Sequence, residues 1–369
     1  MPTKPTSTVR SRRATTVKVE EAPHPLAHLI PDQEFATKEM RLLGSDGNPI
    51  CPENCTEHQH GGTYLSRDVH GRNDLSLLRY ARRCDPPPNV KLYGPPGPGK
   101  TTLIMAYCAT FKIPLVTINA FGGIDPNTFF GQWAPKSGVD VAEVMRVMGD
   151  VQSNLPAKER NDMSVVMPIV MAILGQDKFQ WIYSDVVEVI RQDGFLFIDE
   201  ANYLGGKVSA VFNSLFDRRR QITILEKGNE VIKAGPRFQA AIAYNPETEG
   251  SRPLPDAFQD RFGINVPIDY DRDVEEGLLS MYATLDMGEK LRNGVQMGEI
   301  RTPVSTRKLM DFEKFAWDMD LEFAIQNLVA SFHKDERDTV MGSVRMFEDD
   351  FAEQLTQLHK LADEGDDEQ

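Results

Sequence analysis

A glycine-rich stretch, GPPGPGKT at residues 94–101, constrains the fold of this chain more than any other feature. It follows the short apolar run NVKLY and precedes a segment with helical character at residues 100–111. The pattern G-x-x-x-x-G-K-[ST] between a strand and a helix is typical of a loop whose backbone N–H groups surround phosphate oxygens. The positive end of the helix dipole adds to that attraction. The sequence therefore predicts a phosphate-binding loop at the end of a buried strand.

The prolines and glycines of this loop have different consequences for phosphate binding. Pro95, Pro96 and Pro98 have no N–H group to donate, and they stiffen the loop by fixing φ, whereas the glycines permit close approach. Lys100 is expected to reach the β and γ phosphates, and the Thr101 hydroxyl to bind Mg²⁺. The loop residues predicted to contact the nucleotide are Gly94, Gly97, Pro98, Gly99, Lys100, Thr101 and Thr102.

Two acidic residues end a second buried strand. The apolar run GFLFI leads directly into Asp199 and Glu200. At the carboxyl end of a strand, Asp199 is placed to hold Mg²⁺ directly or through water, and Glu200 to polarise a water molecule for attack on the γ-phosphate. The alternative is a solvated strand edge or a helix cap.

Three further side chains are candidates for acting at the γ-phosphate. Asn245 follows the apolar strand AAIAY, where an amide can orient the attacking water, although an Asn before a proline also starts turns. Arg261 can stabilise the charge that develops during phosphoryl transfer, or form a salt bridge with Asp256 or Asp260. Arg307, in TPVSTRKL, can reach the nucleotide from a helical domain or simply pack there.

Apolar strands alternate with helices in the middle of the chain. The strand segments are NVKLY, PLVTINA, GFLFIDE, FQAAIAYNP and INVPIDY. Continuous apolar strands separated by helices indicate a parallel sheet that is covered on both faces. After residue 271 the pattern is amphipathic with helical spacing. The predicted fold class is therefore α/β, with a parallel sheet flanked by helices and followed by a smaller all-helical domain.

The same patterns divide the chain into predicted segments. In chain order these are a disordered N-terminal tail (1–40), an extension with a Cys/His loop (41–85), an α/β nucleotide-binding domain (86–270) with a helical insert (137–179) and a hairpin (221–234), a helical domain (271–362) and an acidic tail (363–369).

The extension contains a group of possible zinc ligands. Cys51, Cys55, His58 and His60 lie within CPENCTEHQH and have the side-chain types that zinc binds. The two histidines are close together for one ion, and the spacing matches no standard finger. A polar loop with incidental Cys and His residues is the alternative.

Composition narrows the classes of function. A net charge of −14 argues against a general nucleic-acid binder, although it does not exclude a narrow basic pore. The sequence has no run of 18 apolar residues, and its basic N-terminus lacks an apolar core, so neither a membrane span nor a secretory signal is expected. Four cysteines in 369 residues do not make a disulfide framework, which favours the cytoplasm.

Taken together, these motifs resemble the AAA+ ATPases and, within them, the MoxR group with its CbbQ-like relatives. The resemblance runs from about residue 89 to residue 309, through GPPGPGKT, FFGQW, WIYSDVVEVIRQDGFLFIDEAN, SLFDRRRQITI, AIAYNP, LPDAFQDRF and STRKL. It implies a P-loop NTPase core with a helical lid, in which Asn245 is the sensor 1 residue. It also implies that Arg261 is an arginine finger acting in trans, and that Arg307 is the sensor 2 residue acting in cis.

The resemblance also implies partners and cofactors. Members of the group use ATP and Mg²⁺, form rings that are usually hexameric, and remodel or activate client proteins, often with a von Willebrand factor A-type adaptor. The insert departs from the family, which usually has a short connection there. Its methionine-rich segments favour either a surface that faces a partner or a helical pair with its own small core.

Three functions remain open from the sequence. The first is a ring ATPase that remodels a protein, and the second is a nucleic-acid motor with Arg218, Arg219 and Arg220 lining a pore. The third is a scaffold that binds nucleotide with little turnover. The presence of Glu200, Asn245 and Arg261 together favours an enzyme over a scaffold.

Overall fold

The computed structural model describes residues 36–37, 42–43, 49–50, 63–121, 129–204, 206–246 and 254–366. The candidate zinc ligands Cys51, Cys55, His58 and His60 lie outside these residues. Within the described ranges, no helix is both long enough and apolar enough to cross a bilayer.

The strands and helices follow in chain order. The strands are β1 (Ala36–Thr37), β2 (Leu42–Leu43), β3 (Pro49–Ile50), β4 (Thr63–Tyr64), β5 (Asp68–Val69), β6 (Arg72–Asn73), β7 (Val90–Tyr93), β8 (Leu115–Asn119), β9 (Gly131–Pro135), β10 (Phe179–Tyr183), β11 (Phe195–Asp199), β12 (Gln221–Ile224), β13 (Glu230–Lys233), β14 (Gln239–Tyr244) and β15 (Ile264–Pro267). The helices are α1 (Asp74–Arg83), α2 (Lys100–Thr110), α3 (Val141–Asn154), α4 (Met163–Leu174), α5 (Asp185–Arg191), α6 (Gly206–Phe216), α7 (Asp256–Gln259), α8 (Arg272–Glu276), α9 (Tyr282–Gln296), α10 (Thr306–Asp318), α11 (Leu321–Ala330), α12 (Arg337–Arg345) and α13 (Glu348–Asp366).

The central sheet has five strands in the order β15-β7-β14-β11-β8, and all of its pairings are parallel. Each strand corresponds to one of the apolar segments in the sequence. Because the strands run in the same direction, their carboxyl ends meet at one edge of the sheet. The predicted fold class, α/β with a parallel sheet flanked by helices and followed by a helical region, is confirmed.

Both faces of the sheet are covered, which explains why its strands are continuously apolar. On one face Leu196 of β11 packs in a buried cluster with Phe212 of α6. On the other face Phe197 packs in a second cluster with Leu103 of α2. The alternation of β11 side chains between two clusters fixes α2 and α6 on opposite sides of the strand that carries Asp199.

The second cluster extends upstream of residue 86. Tyr64, Val69 and Leu75 are buried among the side chains of β7 and α2. Asp74 is also buried and accepts a hydrogen bond from the Tyr64 hydroxyl, and burial raises the pKa of its carboxyl. The segment from Tyr64 through α1 therefore shares the core of the α/β domain.

The insert is carried on a two-stranded ribbon. Antiparallel pairing of β9 with β10 brackets α3 and α4, which lie between them in the sequence. The two helices form a cluster of their own that includes Val144, Val166 and Val170. Met145 and Ile173 lie on the exposed side of the same pair. The insert thus has both a small core and an apolar outer surface.

The helices after the sheet surround a separate core. Leu309 and Phe312 of α10 pack with Ile325 of α11 and Phe351 of α13. The rings of Phe312 and Phe351 have centroids 5.0 Å apart. This helical region is here called the lid. Residues between 268 and 306 contact the phosphate loop.

The insert core can be tested with a matched pair of substitutions on α4. Val170 is 0% exposed and Ile173 is 59% exposed. We predict that Val170→Asp destabilises the insert by about 3 kcal/mol or more, because it buries a carboxylate without a partner. Ile173→Asp, which adds the same charge at the surface, is expected to change stability by less than about 0.5 kcal/mol. Chemical denaturation of the two variants measures the difference, and equal effects would contradict the assignment of this core.

Candidate functional site

The phosphate loop joins β7 to α2 at the carboxyl edge of the sheet. Gly94 has φ of +149°, and a Cβ built there would lie 1.9 Å from the carbonyl oxygen of Ile268. Gly97 has φ of +81°, and its Cβ would lie 2.6 Å from the Cβ of Ser305. Both positions therefore require glycine. Gly94 lies against the end of β15, and Gly97 lies against Ser305 of the lid. Gly99 caps the first turn of α2 in the left-handed conformation.

Lys100 begins α2 and is 8% exposed. Its Nζ donates hydrogen bonds to the carbonyl oxygens of Gly94 (3.1 Å) and Pro95 (2.6 Å), and to Oδ1 of Asn245 (2.5 Å). Burial lowers the pKa of Lys100 to about 8, and the carboxylates of Asp199 and Glu200 partly oppose that shift. The amine is thus held inside the loop, where a phosphate could replace its carbonyl partners.

The acids at the end of β11 face the start of α2. The Thr101 hydroxyl donates to Oδ2 of Asp199 at 2.6 Å, and Oδ1 of Asp199 accepts from the Glu200 backbone N–H at 2.9 Å. Glu200 has φ of +53°, an uncommon conformation for a residue with a side chain. Burial raises the pKa of its carboxyl, as does the neighbouring Asp199, while Lys100 lowers it. A strained, partly buried carboxyl with a raised pKa is typical of a general base.

Asn245 completes this group from β14. It is buried, and the strand before it pairs with both β7 and β11. Its amide oxygen accepts from Lys100, as described above, rather than capping a turn. The structure therefore brings together Lys100, Thr101, Asp199, Glu200 and Asn245, which come from three neighbouring strand ends.

Arg261 lies apart from that group, beyond the end of α7. Its Nε donates to the carbonyl oxygen of Asn213 at 3.2 Å, and its charge contributes to lowering the pKa of the Asp217 carboxyl. Within the described residues, the recorded partners of its side chain belong to the α6 end of the domain and not to the phosphate loop. The structure also shows no ion pair between Arg261 and Asp256 or Asp260 among the described residues.

Arg307 is an exposed residue in the first turn of α10. Thr102, the last of the predicted loop residues, is partly buried in the first turn of α2. Ser305, which caps α10, contacts the loop at Gly97, so Arg307 lies two residues from that contact. The start of the lid helix is therefore adjacent to the phosphate loop.

A chain of polar contacts connects the loop to the lid. The Tyr270 hydroxyl donates to the carbonyl oxygen of Pro96 at 2.8 Å, and the Arg292 guanidinium lies 3.9 Å from the centre of the Tyr270 ring. Arg292 forms two hydrogen bonds with Glu275 (2.6 and 2.7 Å), whose carboxylate also accepts from Thr306 at 2.6 Å. Glu275 is 3% exposed, so this ion pair lies almost wholly out of solvent.

Sequence reasoning missed two residues beside the site. Arg67 donates to the carbonyl oxygen of Pro98, and within the described residues its Nε and Nη1 have no partner although both are buried. Asn202 is 5% exposed, and neither polar atom of its amide has a partner in the described part of the chain. Asn202 follows Glu200 by two residues in the sequence, so its position beside the site could be predicted, whereas nothing in the TYLSRDVH segment marks Arg67.

The donor set fits Mg²⁺ better than a softer metal. The Thr101 hydroxyl and the Asp199 carboxylate are hard oxygen ligands, and their oxygens already lie 2.6 Å apart. Among the described residues, no group of three or more His, Cys, Asp or Glu side chains is arranged to hold a metal ion by itself. Any Mg²⁺ at this site would therefore need further ligands from phosphate and water, as is usual for that ion.

The low pKa of Lys100 predicts how ligand affinity depends on pH. We predict that ADP binding weakens by up to about tenfold per pH unit above pH 8, because the amine loses the charge that attracts phosphate. Glu200→Gln removes a carboxylate that raises the pKa of Lys100, so in that variant the loss of ADP affinity is expected to begin at a lower pH. Titration with a fluorescent ADP analogue from pH 7 to 9.5 measures both effects. Constant affinity over this range would contradict the role of Lys100.

Comparisons with known proteins agree with this geometry. Residues 158–262 match the family model described as AAA domain (dynein-related subfamily). An uncharacterized protein of Staphylococcus haemolyticus is 26% identical over 287 residues, which cover 74% of this chain and 94% of the relative. A second, from Staphylococcus saprophyticus, is 25% identical over 287 residues with the same coverage.

Among solved structures, a RuvB mutant of Thermotoga maritima is similar with a TM-score of 0.37 and 19% identity, covering 74% of this chain and 68% of that one. A likeness at this level carries no conclusion about function. Residues 158–262 are therefore similar to an AAA domain, and the strand order gives the parallel sheet whose edge carries the phosphate loop, Asp199 and Asn245.

Proposed function

We propose that this chain is a MoxR-like AAA+ ATPase that hydrolyses ATP in a ring, usually a hexamer, and uses the energy to remodel or activate a partner protein. The observation that carries the proposal is the convergence of Lys100, Thr101, Asp199, Glu200 and Asn245 on one loop. The three strand ends that supply them are fixed by parallel pairing. A binding module without turnover has no need of a strained carboxyl beside the phosphate loop.

The proposed reaction begins with the triphosphate in the loop. Backbone N–H groups of Gly97, Gly99, Lys100 and Thr101 bind the phosphate oxygens, and the Lys100 amine contacts the β and γ phosphates. Glu200 takes a proton from the attacking water, which Asn245 holds in line through its amide. The raised pKa of Glu200 makes it a stronger base than an exposed glutamate.

Thr101 and Asp199 are the residues that would hold Mg²⁺. When bound there, the ion would neutralise charge on the phosphate oxygens. The hydrogen bond between the Thr101 hydroxyl and Asp199 keeps both oxygens oriented toward the loop.

Arg261 is proposed to act on the nucleotide of a neighbouring subunit. Its observed contacts at the end of α6 support this assignment, because they hold the residue away from the loop of its own chain. Arg307 is proposed to act in cis, since α10 begins beside Gly97. In a ring, each γ-phosphate would then be contacted by two arginines. Arg261 would come from the neighbouring subunit, and Arg307 from the subunit that binds the nucleotide.

The insert is the part of the chain best suited to contact a client. Met145, Met163, Ile169 and Ile173 are exposed on α3 and α4, at the end of the β9–β10 ribbon. Flexible apolar side chains of this kind suit surfaces that bind varied partners. By resemblance to the MoxR group, a von Willebrand factor A-type adaptor belongs to the same proposal.

A nucleic-acid motor is less well supported. Arg219 forms an ion pair with Asp217, and Arg220 donates to the carbonyl oxygens of Gly235 and Phe238. Arg218 remains exposed. Two of the three arginines proposed to line a pore are thus engaged within the domain, so they offer little charge to a phosphate backbone.

The first test separates hydrolysis from binding. We predict that Glu200→Gln lowers ATP turnover by about 100-fold or more while ATP still binds, because only the base is removed. Glu143→Gln, an equivalent change on the exposed face of the insert, is expected to leave turnover unchanged. Steady-state phosphate release and nucleotide titration measure the two properties. Normal turnover in Glu200→Gln would show that this residue is not the general base and would contradict the proposed mechanism.

The second test asks whether Arg261 acts in trans. We predict that Arg261→Ala and Glu200→Gln chains are each inactive alone, but that an equal mixture recovers about a quarter of wild-type turnover. In a randomly mixed ring, about one site in four pairs an intact Glu200 with an intact Arg261 from its neighbour.

The control replaces the first chain by one that carries both Arg261→Ala and Lys100→Ala, which cannot bind nucleotide. That mixture is expected to stay inactive. Recovery in neither mixture would place Arg261 in cis or outside the reaction, and particle size measured by light scattering with ATP shows whether rings formed at all.

A further inference from the structure

A cavity of about 310 Å³ lies at the opposite end of α2 from the phosphate loop. Its walls contain four arginines, Arg79, Arg82, Arg83 and Arg237, together with the rings of Tyr107 and Phe111. Lys100 and Tyr107 lie on the same helix, whose 11 residues span about 16 Å. The cavity is therefore separate from the candidate ATP site and close to the amino ends of the strands.

Within the described part of the chain, no ion pair neutralises the positive charge of the cavity. None of the four guanidinium groups has a recorded carboxylate partner within 4.0 Å there. Asp193, the acidic residue whose field reaches Arg82, accepts instead from the Arg237 backbone N–H at 2.7 Å. Four arginines without an ion-pair partner around one cavity contrast with the net charge of −14 of the whole protein.

The arginines are held in place by contacts other than ion pairs. The Arg79 guanidinium lies 5.2 Å from the centre of the Phe111 ring, and Arg83 lies 5.8 Å from that of Tyr80. Arg237 donates to the carbonyl oxygen of Arg82 at 3.1 Å, and Arg82 donates to the carbonyl oxygen of Asp193. Side chains ordered in this way lose little entropy when they bind an anion.

One donor of Arg82 has no partner among the described residues. Nη1 of Arg82 is buried, and no acceptor for it exists among the described residues. Leaving a buried charged donor unpaired is unfavourable, and the like charge of Arg237 adds to the strain. An anion in the cavity would reduce the repulsion among the four guanidinium groups.

We propose that this cavity is a binding site for a small anion that carries two or more phosphate groups. Arginine matches phosphate through paired N–H donors, and a single phosphate would engage only part of a set of four. The volume is at the lower end of the range for small-molecule sites, which favours a compact ligand over a folded protein or a nucleic-acid duplex.

The test uses inorganic tripolyphosphate and isothermal titration calorimetry at 0.15 M salt. The protein carries Lys100→Ala, so that the phosphate loop does not compete for the probe. We expect one site per chain, and we expect Arg79→Gln with Arg83→Gln to weaken binding at least tenfold. Both side chains are exposed, so thermal unfolding of this variant is expected to match that of its parent.

The matched control is Arg72→Gln with Arg218→Gln, which removes two exposed arginines elsewhere and changes the net charge equally. It is expected to leave the affinity unchanged, whereas Arg79→Lys with Arg83→Lys is expected to be intermediate because charge is kept without paired donors. Absence of binding, or equal weakening by the control, would overturn the proposal.

Two further probes identify the source of the phosphate groups. ADP titrated into the same Lys100→Ala protein distinguishes a nucleotide from a simple polyphosphate, and binding of either supports the proposal. A peptide with the sequence DEGDDEQ, which is the acidic tail 363–369, tests an acidic polypeptide instead. Tighter binding of this peptide than of tripolyphosphate would overturn the assignment to a small phosphate ligand.

Discussion

The candidate site depends on parallel hydrogen bonding between β11, β14 and β7. This pairing places Asp199, Asn245 and the phosphate loop at the same edge of the sheet, although more than 100 residues separate the loop from Asn245 in the sequence. A shift of one residue in either pairing would turn the side chains at that edge to the opposite face. Buried side chains on both faces of β11 prevent such a shift, so the packing of the two hydrophobic clusters fixes the geometry of the site.

The sequence predicted the fold well because the relevant signals are local. Five apolar segments became the five strands of the sheet, and the loop motif located the start of α2. The meeting of Lys100 with Asn245 was also predictable, since strand ends in a parallel sheet share an edge. The β9–β10 ribbon was not predicted, because its short strands do not alternate clearly and pair across the whole insert.

Residues outside the motifs were not predictable for a different reason. Arg67, Tyr270 and Arg292 belong to none of the functional motifs in the sequence, and their contacts near the loop join residues about 20 to 175 positions apart. The same holds for the arginine cavity, whose walls come from α1, α2 and the turn before β14. The spacing of residues in the sequence indicates which of them are neighbours on one helix or strand. The side chains named here come from different elements and meet only in the folded domain.

The contacts from Pro96 to Thr306 have a mechanical consequence. Arg292 is held by two hydrogen bonds to the buried carboxylate of Glu275, which also accepts from Thr306, so the lid helices α8, α9 and α10 are joined firmly to one another. Two contacts described above connect this region to the loop, the Tyr270 hydroxyl at Pro96 and the Ser305 side chain at Gly97. A swing of the lid against the sheet would concentrate its displacement at these two contacts. The helices would then move as one rigid body about these contacts, and a small change in the loop would be magnified at the far end of the lid.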